Sequence, residues 1–137
     1  MIVLDTNVLS ELTRERASPK VLSWHRDQDD LFTTAITQAE MLYGLELMPS
    51  GRRKREALAS INQIFNEIFA GRILAFDSIA AVMYADLAAS RKKIGRPIKQ
   101  SDAQIAAIAR SREAAVATRN VADFEHCGIQ VIDPWTV

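Results

Sequence analysis

Short apolar runs alternate along this chain with longer stretches in which apolar residues recur at helical spacing. Five runs have the length and composition of buried strands, at Ile2–Leu4, Leu31–Thr34, Ile73–Phe76, Ala115–Thr118 and Gln130–Ile132. Strands that are buried on both faces read as continuous apolar segments, and such strands are typical of parallel sheets. The runs therefore predict a mostly parallel, five-stranded sheet.

The stretches between these runs predict helices. The first helix follows Asp5, the second begins at Pro19, and the third extends from Thr37 to Leu47. The fourth begins at Gly51 or Arg52, the fifth carries an apolar stripe of Ile79, Met83 and Leu87, and the sixth spans Ser101–Arg112. Strands that alternate with helices in this way predict a three-layer α/β/α sandwich. No boundary interrupts the alternation, so we expect residues 1–137 to form one domain.

The composition places the chain among globular proteins. Of its 137 residues, 48% are hydrophobic and 25% are charged, which is ordinary for that class. No apolar run is long enough to cross a bilayer, so we expect no membrane partner. The single cysteine, Cys127, excludes an intramolecular disulfide and leads us to expect a cytoplasmic location.

The charges are unevenly distributed although the formal net charge is zero. Between Arg52 and Arg112 lie 12 basic residues against five acidic ones. This imbalance is compatible with a polyanionic partner. A basic helix face that is simply solvated explains each cluster equally well, so charge alone does not identify a partner.

Four acidic residues lie at the ends of predicted elements: Asp5, Glu40, Asp102 and Asp123. Each has a purely structural explanation. Asp5 is in position to cap the first helix, and the sequences Thr37–Glu40 and Ser101–Gln104 both fit a capping box, in which an acidic or amide side chain stabilises a helix start. Taken singly, each acid is best explained by local structure.

Taken together, the same acids predict a metal site. In a parallel α/β sheet, strands end and helices begin at one edge, where ligands bind, so all four side chains can face that edge. Two carboxylates about 5 Å apart repel by roughly 3 kcal/mol at an effective dielectric of 20. A cation relieves that repulsion, and oxygen ligands suit Mg²⁺ or Mn²⁺. Zinc fits less well, because His25 and His126 are far apart in sequence.

Four sequence blocks resemble the PIN-domain ribonucleases of the VapC type, close to the FitB-like branch. They are VLDTNVLSEL (residues 3–12), TQAEMLYGLE (37–46), SDAQIAAIA (101–109) and ATRNVADFEHCGIQVIDPW (117–135). The resemblance implies a Mg²⁺- or Mn²⁺-dependent endoribonuclease that hydrolyses RNA by metal-activated water. It implies catalytic and metal-binding roles for Asp5, Glu40, Asp102 and Asp123, and supporting roles for Thr6, Asn7, Thr118 and Asn120.

The resemblance also implies partners. Members of this family are usually toxins, pair as homodimers, and are silenced by a small antitoxin through which the assembly binds operator DNA. The helix from Thr37 to Leu47 is apolar almost all round, which fits either deep burial or coverage by a second chain. We take it as the dimer contact and expect Leu45 to lie there.

Some residues depart from the family pattern or stay outside the site. Asp133 stands before Pro134 where the family more often has asparagine, and we interpret it as a turn residue. Asp77 is expected to cap the helix that contains Ile79. Glu46 lies well past the first turn of its helix, so it is left outside the acidic set.

Three other functions are compatible with parts of the sequence. A catalytically weak PIN-like binding module that acts through an antitoxin and DNA would keep the fold, but an intact set of four acids argues against it. A phosphoacceptor receiver domain needs an acidic pair after the first strand and a lysine after the fifth, and neither is present. A haloacid-type phosphatase needs a second aspartate two residues after Asp5, where this chain has Asn7.

Overall fold

The computed structural model describes residues 1–137 and is built around one fully parallel sheet. Its strands are β1 (Ile2–Leu4), β2 (Leu31–Thr34), β3 (Ile73–Leu74), β4 (Ala115–Ala117) and β5 (Val131–Ile132). They are arranged in the order β3-β2-β1-β4-β5, with parallel pairing at every step. The predicted α/β/α sandwich is confirmed, and β1 occupies the centre of the sheet.

Six α-helices connect these strands. They are α1 (Thr6–Leu12), α2 (Pro19–Arg26), α3 (Ala35–Leu47), α4 (Arg52–Gln63), α5 (Ser78–Lys93) and α6 (Gln100–Ser111). A π-helical segment, Ile64–Ile68, continues α4, and a short 3₁₀ turn, Val121–Phe124, lies between β4 and β5. None of the helices is both long and apolar enough to cross a membrane.

The central strands bury side chains on both faces of the sheet. Successive residues of a strand point to opposite faces. Val3 and Val116 accordingly join a core beneath α5 and α6, whereas Leu4 and Ala117 join a second core that includes residues of α1, α2 and α4. All four of these side chains are buried, which explains the unbroken apolar character of β1 and β4.

The predicted strands are all present, with small differences at three ends. β3 is shorter than the predicted Ile73–Phe76, because the chain turns away from the sheet to reach the cap of α5. β4 and β5 each lose one terminal residue, Thr118 and Gln130. Both still hydrogen-bond to the neighbouring strand: the Thr118 N–H donates to the Ile132 carbonyl at 2.9 Å.

The two predicted capping boxes are wrong. α3 begins at Ala35, and its cap is Thr34, whose Oγ1 accepts the Thr37 N–H at 3.1 Å. Glu40 therefore lies in the second turn, where its carboxylate does not cap the helix. α6 begins at Gln100 after Lys99, so Ser101 lies inside the helix and its buried hydroxyl has no hydrogen-bond partner. Asp102 remains in the first turn of α6, as predicted.

The exposed and buried faces of α3 differ from the expectation. Leu45 is buried in the second core, so it is not available to a dimer contact. Leu42, Tyr43 and Leu47 are the large apolar side chains of α3 that are exposed. α5 shows a similar shift, because Ile79 is exposed and the buried face follows Ala80 instead.

Candidate active site

Asp5 lies directly after β1 and is 5% exposed. Its Oδ1 accepts the Thr6 N–H at 2.8 Å, so it does cap α1. Its Oδ2 accepts hydrogen bonds from Thr118 Oγ1 at 2.8 Å and from Asn7 Nδ2 at 3.2 Å. The Asp5 N–H donates to the Ala117 carbonyl at 2.9 Å, which ties the residue to β4. The carboxylate is thus fixed by neighbours on two elements.

The end of β4 supports Asp5 through Thr118, which is completely buried. Besides donating to Asp5, Thr118 Oγ1 accepts a hydrogen bond from the Asn120 N–H at 3.1 Å. Asn7 completes the group, because its Oδ1 accepts the Arg119 N–H at 3.2 Å. Asn120 takes part through its backbone, whereas the side chains of Asn7 and Thr118 contact one another and Asp5.

Glu40 reaches the same edge from α3. Its Oε1 accepts the hydroxyl of Thr6 at 2.9 Å. Thr6 Oγ1 is also 3.2 Å from Thr37 Oγ1, which in turn is 3.4 Å from Thr34 Oγ1. Thr6, for which the resemblance implied a supporting role, contacts both Asp5 and Glu40. Thr37 had been interpreted only as a cap, and its position at the third residue of α3 is what directs its hydroxyl inward.

Asp102 and Asp123 line one cavity of about 310 Å³. Asp102 is in the first turn of α6, and Asp123 is in the 3₁₀ turn after β4. The loop after α5 leads to the start of α6 and so brings Asp102 to the cavity that Asp123 also lines. The remaining lining residues come from that loop and from the end of α5: Arg91, Pro97, Ile98 and Lys99.

The four acids interact electrostatically with one another. Burial raises the pKa of Asp5, hydrogen bonds from Thr118 and Thr6 lower it, and the charges of Glu40 and Asp123 raise it further. Burial also raises the pKa of Asp102 to about 6, helped by the charges of Asp5, Asp123 and Glu40 and opposed by Lys99. Asp5, Glu40 and Asp123 therefore each raise the pKa of at least one other acid of the set.

No lysine, arginine or histidine forms an ion pair with these carboxylates, and the charge of Lys99 acts on Asp102 alone. The ion pairs of the protein involve other acids: Asp30, Glu11, Glu56, Glu125 and Asp86. A buried acid such as Asp5, close to further acids and without a counter-ion, is unfavourable unless the group takes up protons or a cation. The donor set consists of oxygen atoms only, so its chemistry fits a hard divalent cation such as Mg²⁺ or Mn²⁺.

The side chains do not form a closed ligand shell in this structure. No three His, Cys, Asp or Glu side chains are close enough together to hold one metal ion. Mutual repulsion between carboxylates favours such separation. The supporting hydrogen bonds fix Asp5 most firmly, whereas Asp123 lies on an exposed turn. The residues are therefore gathered at one edge without being in coordination distance of a common point.

Two residues of the cavity were not predicted. Arg91 had been counted with the solvated basic residues, yet it is buried. Its burial could have been expected from the four-residue spacing of Met83 and Leu87, which Arg91 continues. Lys99 precedes α6 and is exposed, and no hydrophobic pattern distinguishes it from other surface lysines.

The residues that were left outside the site have local roles. Asp77 caps α5 by accepting the Ala80 N–H at 2.9 Å, as predicted. Asp133 is a turn residue whose Oδ1 accepts the Trp135 N–H at 2.9 Å. Glu46 is exposed on α3. None of the three contributes to the raised pKa of Asp5 or Asp102 through a leading charge interaction.

A parallel sheet with four acids at its carboxyl edge defines the class of this protein, and comparison with known families specifies it. The PIN domain family model matches residues 2–128. The VapC ribonuclease Y4jK of Sinorhizobium fredii is 42% identical over 137 residues, which cover 98% of each chain. Toxin FitB of Neisseria gonorrhoeae is 36% identical, with 98% of this chain and 99% of that protein covered. The chain belongs to the PIN domain family.

Solved structures show the same relationship. The chain is similar to one in the structure of FitAB bound to an IR36 DNA fragment, with a TM-score of 0.93 and 37% identity. That match covers 100% of this chain and 97% of the other. FitAcB from Neisseria gonorrhoeae also gives a TM-score of 0.93, at 36% identity and with complete coverage of both chains. The relatives are thus VapC- and FitB-type members of the family.

Proposed function

We propose that this protein is a Mg²⁺- or Mn²⁺-dependent endoribonuclease and the toxin of a toxin–antitoxin pair. The observation that carries the proposal is the set of four acids, Asp5, Glu40, Asp102 and Asp123, which lie at one sheet edge and form no ion pair with any cationic side chain. The similarity to a VapC ribonuclease and to the FitB toxin over nearly the whole chain supports the same reaction.

In this proposal, Asp5 and Asp102 hold the cation most directly, with Glu40 and Asp123 completing the acidic set. A divalent cation held there would polarise a phosphoryl oxygen and lower the pKa of water. Asp5 is best suited to a fixed position, because Thr6, Asn7 and Thr118 all donate hydrogen bonds to it. These neighbours orient the carboxylate before substrate arrives, as expected of groups that support metal ligands.

Basic side chains at the rim of the site would hold the substrate. Lys99 lines the cavity beside Asp102 and is exposed. On the other side, Arg119 follows Thr118, and its guanidinium lies 5.0 Å from the centre of the Trp135 ring. That contact restrains an otherwise mobile side chain. We propose that Lys99 and Arg119 contact the phosphates that flank the cleaved bond.

RNA cleavage tests the proposal directly. A labelled RNA should be cut by the wild-type protein in Mg²⁺ or Mn²⁺, and cutting should stop in EDTA and in the Asp5→Asn variant. Equal cleavage in all three conditions would contradict the mechanism. Binding of RNA or of an antitoxin–DNA complex without cleavage in any condition would favour the catalytically weak binding module instead.

The proposed partners are an antitoxin, a second copy of the chain and, through the antitoxin, operator DNA. The FitAB complex with DNA, to which this chain is similar, supports the first and third. For the homodimer we propose the exposed apolar face of α3, formed by Leu42, Tyr43 and Leu47. Contiguous exposed apolar side chains of this size are commonly covered by another chain.

Light scattering distinguishes this dimer contact from other surfaces. The variant Tyr43→Glu should reduce the particle mass from dimer to monomer, because a charge on the α3 face cannot be buried. Val82→Glu is a matched control, since Val82 is equally exposed but lies on α5. An unchanged mass for Tyr43→Glu, or dissociation caused by Val82→Glu alone, would rule out α3 as the contact.

A further inference from the structure

Arg91 is an unusual residue in this protein, because its charged side chain is 5% exposed and forms no ion pair with any acid. A buried guanidinium is unfavourable unless hydrogen bonds replace its water. Arg91 obtains these from main-chain carbonyls. Its Nε donates to the Arg96 carbonyl at 2.6 Å, and its Nη1 donates to the carbonyls of Asp123 at 2.9 Å and Glu125 at 2.8 Å.

These acceptors lie on two separate loops. Arg96 belongs to the connection between α5 and α6, which leads to Asp102. Asp123 and Glu125 belong to the turn after β4. One planar guanidinium therefore joins the turn that contains Asp123 to the connection that leads to Asp102. The planar fork of arginine suits several acceptors at fixed angles.

The turn after β4 needs such external contacts. Only the short 3₁₀ segment Val121–Phe124 gives it regular structure, and His126 just beyond has a φ of 60°, in the left-handed region that is unfavourable for residues other than glycine. Arg91 bonds to carbonyls that precede this residue. A surface ion pair between Arg96 Nη2 and Glu125 Oε2, at 3.0 Å, joins the same two loops further out.

We propose that Arg91 is a positioning residue, which holds the Asp123 turn against the α5–α6 connection and so keeps Asp123 across the cavity from Asp102. The inference rests on the proposed metal-dependent function. It assigns Arg91 no contact with substrate or cation. Its effect on the site passes through the backbone that carries Asp123.

Mn²⁺ binding, followed by electron paramagnetic resonance, provides the first test. Arg91→Lys retains the charge but replaces the two donor nitrogens, Nε and Nη1, with one, which cannot occupy both positions. It should weaken Mn²⁺ binding about 10-fold, the lower end of the range for residues that support metal ligands. Lys92→Met is the control on the same helix, because Lys92 is exposed, and it should leave the affinity unchanged. Unchanged Mn²⁺ affinity in Arg91→Lys would overturn the inference.

A double-mutant cycle separates positioning from general stabilisation. In the Asp123→Asn background, Arg91→Lys should cause no further loss of Mn²⁺ affinity, because its effect passes through Asp123. Losses that add would show that Arg91 acts elsewhere and would contradict the proposal. Arg91→Met removes the charge as well as the hydrogen bonds. If that variant does not fold, the test is made with Arg91→Lys alone.

Hydrogen exchange keeps the inference separate from the proposed function. Amides of residues 121–127 should exchange at least several-fold faster in Arg91→Lys than in wild type or Lys92→Met. If the wild-type protein binds no Mn²⁺, the proposed function fails, and exchange alone then judges whether Arg91 holds the turn. Unchanged exchange over residues 121–127 would refute the positioning role in either case.

Discussion

Asp5 and Glu11 are two buried carboxylates at opposite ends of α1, with exposures of 5% and 6%. Glu11 is neutralised locally: its Oε1 is 3.0 Å from Arg14 Nη1, and its Oε2 accepts the Ser18 N–H at 2.9 Å. The hydrogen bond from Ser18 and then the charge of Arg14 lower the pKa of Glu11. Asp5 has no such cation, and burial raises its pKa.

The comparison shows that burial alone does not identify a functional acid. Arg14 and Ser18, both within seven residues of Glu11, donate hydrogen bonds to its carboxylate and so stabilise its charged form. Asp5 accepts hydrogen bonds but lies beside further acids, and together with burial this raises its pKa, so the charged form of Asp5 is disfavoured. Titratable groups with a pKa shifted by burial and by neighbouring like charges are concentrated at functional sites.

The largest difference between Asp5 and Glu11 should appear in the rate of RNA cleavage when each of the two charges is removed in turn. Asp5→Asn should lower the rate of RNA cleavage about 100-fold or more, because a lost metal ligand removes several kcal/mol of charge stabilisation. Glu11→Gln is the matched substitution and should leave the rate within a few-fold. Initial rates on one labelled RNA at saturating Mg²⁺ measure both. Equal losses in the two variants would erase the distinction between the two acids.

Stabilisation by a divalent cation should be specific to the Asp5 site. At a free Mn²⁺ concentration about 100 times Kd, binding to the folded state alone stabilises it by about 2.7 kcal/mol. We expect this gain in wild type and in Glu11→Gln, and its absence in Asp5→Asn. Urea unfolding with and without Mn²⁺ measures the gain. A gain retained by Asp5→Asn would place the cation elsewhere.

Without metal, the two substitutions should affect stability in the opposite order, with Glu11→Gln the more destabilising of the two. Glu11→Gln should lower the thermal midpoint by a few degrees, because it weakens bonds to Arg14 and Ser18. Asp5→Asn, measured in EDTA, should leave the midpoint unchanged or raise it, since it removes repulsion from Glu40 and Asp123. Differential scanning calorimetry compares the two. A larger loss in Asp5→Asn than in Glu11→Gln would mean that Asp5 is mainly structural.

A gradual pH dependence of stability is expected from Asp102, whose pKa is about 6 in the folded protein against an ordinary 3.8. The folded state holds this proton more tightly, so without metal its contribution favours folding at low pH and is lost as pH rises from about 4 to about 6. The stability difference between wild type and Asp102→Asn, followed by urea unfolding in EDTA, should show this trend. A difference that is flat or rises with pH would contradict it.

Much of the fold could be predicted because strands buried on both faces leave a clear sequence signal. The predicted ends of β1 and β2 agree with the structure, and the apolar run of β1 ends abruptly at Asp5. The gathering of the four acids followed from topology, because parallel strands place their ends and the following helix starts at one edge. That prediction needed no knowledge of individual contacts.

The details that could not be predicted depend on side-chain directions. Thr34 and Thr37 both suit a helix cap, and only the extended backbone of Thr34 in the structure selects it. Leu45 and Tyr43 are equally apolar, yet one is buried and the other exposed, because their helix contacts α1, α4 and α6 and leaves one side open. Arg91 was missed because charge suggests exposure more strongly than a continued stripe suggests burial.

The threonines next to Glu40 impose a direction on their protons. Each hydroxyl has one proton, and Thr6 gives its own to Glu40, so Thr6 can only accept from Thr37, and Thr37 from Thr34. All three O–H dipoles then point along one path toward the Glu40 carboxylate, and aligned hydrogen bonds polarise one another. Thr34, fully buried at the end of β2, thereby helps to orient the hydroxyl that donates to Glu40, although Thr34 itself does not contact that carboxylate.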